Sequence, residues 1–430
     1  MPAPTYESTW ERLEYYAGFD WGRGAHHVAV FDRHGHEAFN LSFDHNAAGW
    51  DRFVRKLRDH VGLRLERLGV AIETRHGPAV EKLLELGCTV YPMNPKAAQR
   101  YRDRHAPSGT KDDLLDARSF GRALRSDGRQ WRCLEPEDEL TQQMRLMCRD
   151  EVRLIEQRTA LINTLREALH EYYPAALEAF DDWTNPATWR FVKRFPTPRK
   201  LAAAGKKAWD KFLHAHRLYR PQTYDQRIAC FRQATDLCGT EAVTASKSVL
   251  ALSLIAMLET LRKQLETYRR QIDRLFDQHP SRAIFDSLPG LGEKLAPRLL
   301  SECAEAHKRY DRVEGLECCS GVAPIRFQSG QINKTRMRRA CIKPLRYAVH
   351  LWANASRTKS VWARAYYAGK RAQGKSHACA LRCLGRRWLR ILWKLLATRE
   401  LYDEARHLRN QIARGSWVLT PPPSPRPSPC

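Results

Sequence analysis

An α/β domain followed by an all-α remainder is the architecture that this 430-residue sequence predicts, on three observations. Short strand-like segments separated by turn residues crowd the stretch 15–128. Two long segments with apolar residues at three-and-four spacing come later, and their length suits long helices. Beyond them, Gly- and Pro-marked turns divide a further helical stretch. The length suits two to three domains and a full core.

After an N-terminal extension, 1–14, Tyr15 to Asp20 and Val28 to Asp32 read as strands joined through WGRGAHH, and Glu37 to Phe43 as a third. Together they predict an antiparallel meander. LGVAIET is an apolar run suited to a buried sheet centre. A helix (Pro78 to Leu86), a strand (CTVYPMN) and a helix (Lys96 to Arg104) follow. Three strands, then alternating helix and strand, is the order expected of an RNase-H-like fold over 15–128.

Residues 137–279 are expected to form a long helical arm. Leu140, Met144, Met147, Leu154, Leu161, Leu165 and Ala168 keep the helical spacing, interrupted where Glu151 and Arg158 fall on the seam. A matching series runs from Ala251 to Leu275, and two such helices most simply pair as an antiparallel coiled coil. The insert between them, about 174–246, holds Trp183, Trp189 and Trp209 and reads as a small helical unit of unassigned role. A mostly helical, basic domain is expected over 283–412, and the proline-rich tail 413–430 should be disordered.

Lysine and arginine total 73 against 48 acidic residues, a formal charge of +25, with a sequence pI near 9.8. Such charge predicts a polyanionic partner, nucleic acid before membrane, because neutralised phosphates release condensed counterions. The first residues lack an apolar signal core, so a cytoplasmic, unprocessed, nucleoid-associated protein without membrane contact is expected. Twelve cysteines lie scattered without C-x-x-C pairing, which reads as reduced thiols; Cys379 and Cys383, near His377, read as packing residues rather than zinc ligands.

Four acids stand out. Asp20 sits in the first strand as G-F-D-W-G, and Glu73 ends the fourth as A-I-E-T, where an acid is out of keeping with a buried centre. In K-D-D-L-L-D-A, Asp113 and Asp116 are three apart and share a helix face. Asp112 could instead take the place of Asp113, either one serving as helix cap. Mg²⁺ takes hard oxygen ligands, and two such ions about 3.5–4 Å apart stabilise both the attacking and the leaving oxygen of a phosphodiester displacement. Without metal, so many carboxylates would repel one another.

The last domain offers two further features. FDSLPGLGEKLAPRLLSE has the form of a helix-hairpin-helix whose Gly290 and Gly292, with Lys294, would present backbone N–H groups to a phosphate at a helix start near Glu293. An ordinary αα-turn fits the same residues. Ser329-Gly330 follows a short apolar strand and precedes Lys334, Arg336, Arg338, Arg339 and Lys343. Such cations could stabilise charge at a phosphate attacked by the hydroxyl, but Ser-Gly is also a common turn dipeptide. Ser320-Gly321 is the same dipeptide with no such setting.

In this order, G-F-D-W-G, A-I-E-T, K-D-D-L-L-D-A, L-P-G-L-G and G-V-A-P-x-x-x-Q-S-G resemble the DEDD-type insertion-sequence transposases, which pair a RuvC-like N-terminal domain with a serine-bearing C-terminal transposase domain. The resemblance covers nearly the whole chain. It implies that Asp20, Glu73, Asp113 and Asp116 hold Mg²⁺ and that Ser329 is the nucleophile that joins covalently to a DNA phosphate. It further implies donor and target DNA as substrates and a composite site in a homo-oligomer, a dimer or tetramer. Some members use a structured guide RNA (bridge RNA), which the basic N-terminal domain and arm would bind. A RuvC-like structure-selective endonuclease would use the acids alone, and a non-catalytic nucleic-acid-binding protein would use neither group.

Overall fold

The structure, a computed structural model, describes residues 6–105, 112–135, 138–234, 241–330 and 332–416. The chain divides into two compact units, Met1–Glu137 and Asp138–Cys430. The tail expected to be disordered lies, from 417 onward, outside the described residues.

In the first unit a short helix α1 (Tyr6–Glu11) precedes the meander β1 (Tyr15–Trp21), β2 (Ala25–Asp32) and β3 (Glu37–Asp44). Helix α2 (Ala47–Val61), strand β4 (Leu68–Ile72), helix α3 (Pro78–Glu85), strand β5 (Thr89–Pro92) and helices α4 (Pro95–His105) and α5 (Asp113–Asp127) follow. The sheet order is β3-β2-β1-β4-β5, with β1 antiparallel to β2 and parallel to β4. The mixed α/β expectation holds, and every expected strand is present. Helix α2 was not anticipated, although its signals are in the sequence: Asn46 caps Gly49 N–H, and Trp50, Phe53 and Leu57 repeat at helical spacing.

The sheet is covered on both faces. Phe19, Phe43, Trp50, Phe53 and Leu83 pack α2 and α3 on one side, while Tyr16, Tyr91, Ala98, Phe120 and Leu124 pack α4 and α5 on the other. Each buried aromatic or aliphatic side chain of this size contributes about 1.5–3 kcal/mol. Helix α5 lies close against β1 because Gly18 and Gly121 meet there. A Cβ on Gly18 would stand 1.8 Å from the Ala117 carbonyl oxygen.

The second unit is built on two long helices, α6 (Glu139–Tyr172) and, after the insert, α11 (Glu241–Gln278). They run antiparallel: Glu171 pairs with Lys247, Glu151 with Arg269, and Thr141 bonds to His279. The insert comprises α7 (Pro174–Ala179), α8 (Pro186–Arg194), α9 (Pro198–Ala215) and α10 (Pro221–Arg232). It shares a core with the distal halves of the pair, through Leu165, Leu169, Ile255 and Leu258. Trp183, Trp189 and Trp209 are buried there, each donating its indole N–H to a backbone carbonyl. By length and composition α11 could cross a membrane; here its apolar face packs on α6 and the insert.

The proximal halves join a second core. Its helices are α12 (Arg282–Asp286), α13 (Leu295–Cys303), α14 (Ala306–Arg309), α15 (Val313–Cys319), α16 (Lys343–Lys359), α17 (Val361–Ala372), α18 (His377–Thr398) and α19 (Glu404–Ala413). A two-stranded ribbon, β6 (Ile325–Ser329) and β7 (Ile332–Arg336), interrupts them. Glu151, expected to break the heptad seam, is buried between Arg269 and Arg298. Buried Glu317 likewise accepts from Arg386 and Arg390 of α18. The described cysteines are free thiols.

Candidate functional site

The first unit gathers the four acids. β1 and β4 are parallel neighbours, and the pairing of Phe19 with Ile72 puts the next residues, Asp20 and Glu73, side by side at the carboxyl ends of both strands. Helix α5, held against β1 by the glycine contact, carries Asp113 and Asp116 in its first turn. Asp116 is only 5% exposed. Asp113 is half exposed, and its Oδ2 lies 3.7 Å from His27 Nε2. Asp112 serves as the N-cap, its side chain accepting from Leu114 N–H.

A cation lies among these acids. Arg102, from α4, donates from Nη1 to Glu73 Oε1 at 2.9 Å and to Asp116 Oδ2 at 3.2 Å. Burial, followed by the charges of Asp116, Asp113 and Glu73, pushes the Asp20 carboxyl up to about 6, against a smaller downward pull from Arg102. Among the described residues no three His, Cys, Asp or Glu side chains form a ready metal cage; the Arg102 guanidinium spans the gap between Glu73 and Asp116. Sequence reasoning missed Arg102. Its signal is positional: it lies four residues after buried Ala98 and so on the inner face of α4. QRYRDRH has three arginines, and its composition does not tell which turns inward.

The second unit carries the serine. Ser329 is the last residue of β6, paired across the turn with Ile332, and Gly330 takes φ +53° there. The strand was expected to be apolar; it reads IRFQS and, like β7, is exposed throughout. Lys334 and Arg336 lie on β7, Arg338 and Arg339 just beyond it, and Lys343 opens α16. Arg346 Nη2 donates to the carbonyls of Arg338 and Arg339, fixing the return of the chain. The two Ser-Gly pairs differ sharply: Ser320 is fully buried and donates to the Glu317 carbonyl.

Between α12 and α13 the L-P-G-L-G turn is anchored on α16. Trp352 Nε1 donates to the Pro289 carbonyl. Gly290 has φ +86°, and a Cβ there would meet Ser356 N at 2.6 Å, so packing alone demands glycine. Gly292 and Lys294 are exposed. The Gly292 carbonyl accepts from Leu295 and Ala296, so the first turn opens near Glu293 and leads into α13 at Leu295.

Comparison with known proteins gives two family matches. A DEDD-type IS110 family model described as Transposase matches residues 17–174, and one described as Transposase IS116/IS110/IS902 family matches 282–368. The chain is 31% identical over 405 residues to the mini-circle transposase assigned to IS117 of Streptomyces coelicolor, covering 92% of this chain and 97% of that protein. It is 24% identical to the 43.6 kDa protein of insertion element IS110 from the same organism, covering 91% and 96% of the two chains. To the 44.8 kDa protein of IS116 from Streptomyces clavuligerus it is 25% identical, with 91% and 96% covered.

Proposed function

Since this chain belongs to the IS110-type DEDD transposase family and is an enzyme that acts on DNA, we propose that it cuts and rejoins strands with two groups: the carboxylates Asp20, Glu73, Asp113 and Asp116, and the Ser329 hydroxyl. The sheet order, with three antiparallel strands followed by two parallel ones, supports an RNase-H-like, RuvC-like reading of 15–128. The observation that carries the proposal is the clustering of Asp20, Glu73, Asp113 and Asp116 at the carboxyl ends of two adjacent strands, with Arg102 bonded to Glu73 and Asp116.

The donor set fits Mg²⁺: all oxygen, strongly anionic, and in net need of positive charge. Asp20, Glu73, Asp113 and Asp116 would hold it. Such an ion supplies Lewis acidity at a phosphate and neutralises charge on the attacking and leaving oxygens. The protein's own contribution is to fix the carboxylates: strand ends position Asp20 and Glu73, and the glycine contact positions α5. Arg102 neutralises part of their charge and is placed to turn to a DNA phosphate instead.

Ser329 would attack a phosphate. A P–Oγ bond forms, the bond from phosphorus to the leaving deoxyribose oxygen breaks, that oxygen takes up the proton the serine hydroxyl gives up, and the freed strand end can later reverse the step on another partner. Lys334, Arg336, Arg338, Arg339 and Lys343 would offset the charge developed at phosphorus. Gly292 and Lys294, exposed before α13, are proposed backbone-phosphate contacts within a helix-hairpin-helix, with Gly290 shaping the turn. The division of labour assigns catalysis to 15–128, an arm with its insert to 137–279, and the serine domain to 283–412. The protein would work in the cytoplasm as a homo-oligomer, with a guide RNA on its basic surfaces choosing donor and target DNA.

The test uses purified full-length protein, the RNA transcribed from its flanking DNA, and a labelled duplex spanning the element's end. Wild type is expected to form a protein–DNA adduct with Mg²⁺ and none with EDTA. Ser329→Ala should remove the adduct while leaving binding intact. Cleavage by Ser329→Ala at the wild-type rate would favour a metal-only endonuclease.

A further inference from the structure

The antiparallel register sorts the β6–β7 ribbon into two unlike faces. Directly paired residues share a face, as do alternate residues along a strand. Pairings of Ile325 with Arg336, Phe327 with Lys334 and Ser329 with Ile332 therefore place these six on one face. The opposite face holds Arg326, Gln328, Asn333 and Thr335, with Arg326 Nε bonded to Asn333 Oδ1. The polar face is suited to water. The serine face is less so: Ile325, Phe327 and Ile332 are 38%, 40% and 48% exposed.

Two-stranded ribbons in water are marginal, and an unburied apolar face costs further stability, so this face is built for an occupant. Charge identifies the occupant. The apolar residues are interleaved with Lys334 and Arg336 and followed by Arg338 and Arg339, a setting that favours a polyanion. The Arg336 guanidinium stands 4.6 Å from the centre of the Phe327 ring, and a ring and a guanidinium held together present a flat platform. Nucleic acid combines a phosphate backbone with apolar base faces, and a two-stranded ribbon fits a major groove.

We propose that this face is a wedge: Phe327, backed by Arg336 and flanked by Ile325 and Ile332, unstacks the DNA base step beside the phosphate that Ser329 attacks. Phe327 lies two residues before Ser329 on the same face, about 6.6 Å along the strand at ~3.3 Å per residue. That is about twice the ~3.4 Å spacing per nucleotide along one strand, so a ring inserted there falls within two base steps of the reacting phosphate. Phe327 is thus a positioning residue. The inference rests on the assignment of Ser329 as nucleophile, and the experiment separates the two.

Recombinase assembled with its flanking RNA is mixed with a duplex of the element's end carrying 2-aminopurine beside the scissile phosphate, either fully paired or mismatched at that step. Wild type is expected to raise 2-aminopurine fluorescence on the paired duplex. Ser329→Ala should raise it equally and form no adduct. Phe327→Ala should lose the rise and form adduct about tenfold or more slowly on the paired duplex, in line with the loss of one base–aromatic stack. On the mismatched duplex Phe327→Ala should recover to near the wild-type rate, and Phe327→Trp should keep both signals. An unaltered fluorescence rise in Phe327→Ala, or a defect that the mismatch does not restore, overturns the wedge. A wild type that gives no rise on DNA, while Phe327→Ala changes its oligomeric mass, also overturns it and assigns the face to a protein partner. Adduct formation by Ser329→Ala with the Phe327 results as expected overturns the nucleophile alone.

Discussion

Asp116 is 5% exposed at the foot of a packed helix, whereas Ser329 ends a strand exposed along its whole length. The carboxylates hang from a sheet covered on both faces and from the helix α5 packed on it, so their positions are set before any substrate arrives. That order has a cost: like charges crowd together, and Asp20 is left reluctant to ionise. The serine ribbon bears no such strain and has no such support. One group is organised by the protein's core and the other stands exposed, so the two should respond to substitution in opposite ways.

The largest effect is expected at a carboxylate that, unlike the cluster, has ample positive partners. Glu151 is buried between Arg269 and Arg298, and Glu151→Ala takes the carboxylate from the Arg298 guanidinium and leaves Arg269 with only the longer pair to Asp273. Urea unfolding of the second unit should show a loss of about 3–5 kcal/mol. A loss near zero would mean that water reaches this site and that the helix pair is looser than described.

Gly18→Ala should come next. The added Cβ meets the Ala117 carbonyl, so α5 must lift from β1 and carry Asp113 and Asp116 with it. A destabilisation of about 2–3 kcal/mol is expected. Any stabilisation of the protein by added Mg²⁺, read by thermal unfolding, should shrink with it. Full retention of the metal response would detach the cluster's geometry from the glycine contact.

Asp20→Asn should act in the other direction. Because burial and three acids raise the Asp20 carboxyl to about 6, its charge opposes folding near neutrality. In EDTA the variant should be more stable by about 1–2 kcal/mol at pH 7, and inactive. The sign follows from the raised value: the folded state holds this proton more tightly than the unfolded chain. The wild type therefore loses stability as pH rises from about 4 to about 6, and Asp20→Asn lacks that part of the profile. A variant destabilised at pH 7 would contradict the crowding of charge.

Ribbon substitutions should scarcely touch stability. Lys334→Ala is expected to change it by less than about 0.5 kcal/mol. It should lower the slope of log binding constant against log salt by about 0.9 if Lys334 contacts one DNA phosphate. An unchanged slope would remove Lys334 from the DNA surface.

Much of this contrast could be read in the sequence, and the unread part has physical causes. Strands and long helices were legible because their apolar periods, two and 3.6, are local properties. Asp20 and Glu73 were legible because acids at the ends of apolar strands are anomalous. Arg102 was not, since choosing among three arginines on one polar helix requires knowing which face of α4 meets the sheet. The role of Gly18 depends on a helix about a hundred residues away in sequence. The ribbon's exposure could not be read either: IRFQS has the composition of a half-buried strand, yet each of its residues is exposed. Glu151 was seen as a flaw in a heptad because its partners, Arg269 and Arg298, come from distant segments.

The most direct measurement is sequencing of recombination joints in bacterial cells that carry this gene with its native flanking DNA, comparing wild type, Glu73→Gln and Ser329→Ala. The two-group account predicts circular or inserted joints with wild type and none with either variant. Joints formed by Ser329→Ala would contradict it and leave the carboxylates as the sole catalytic group.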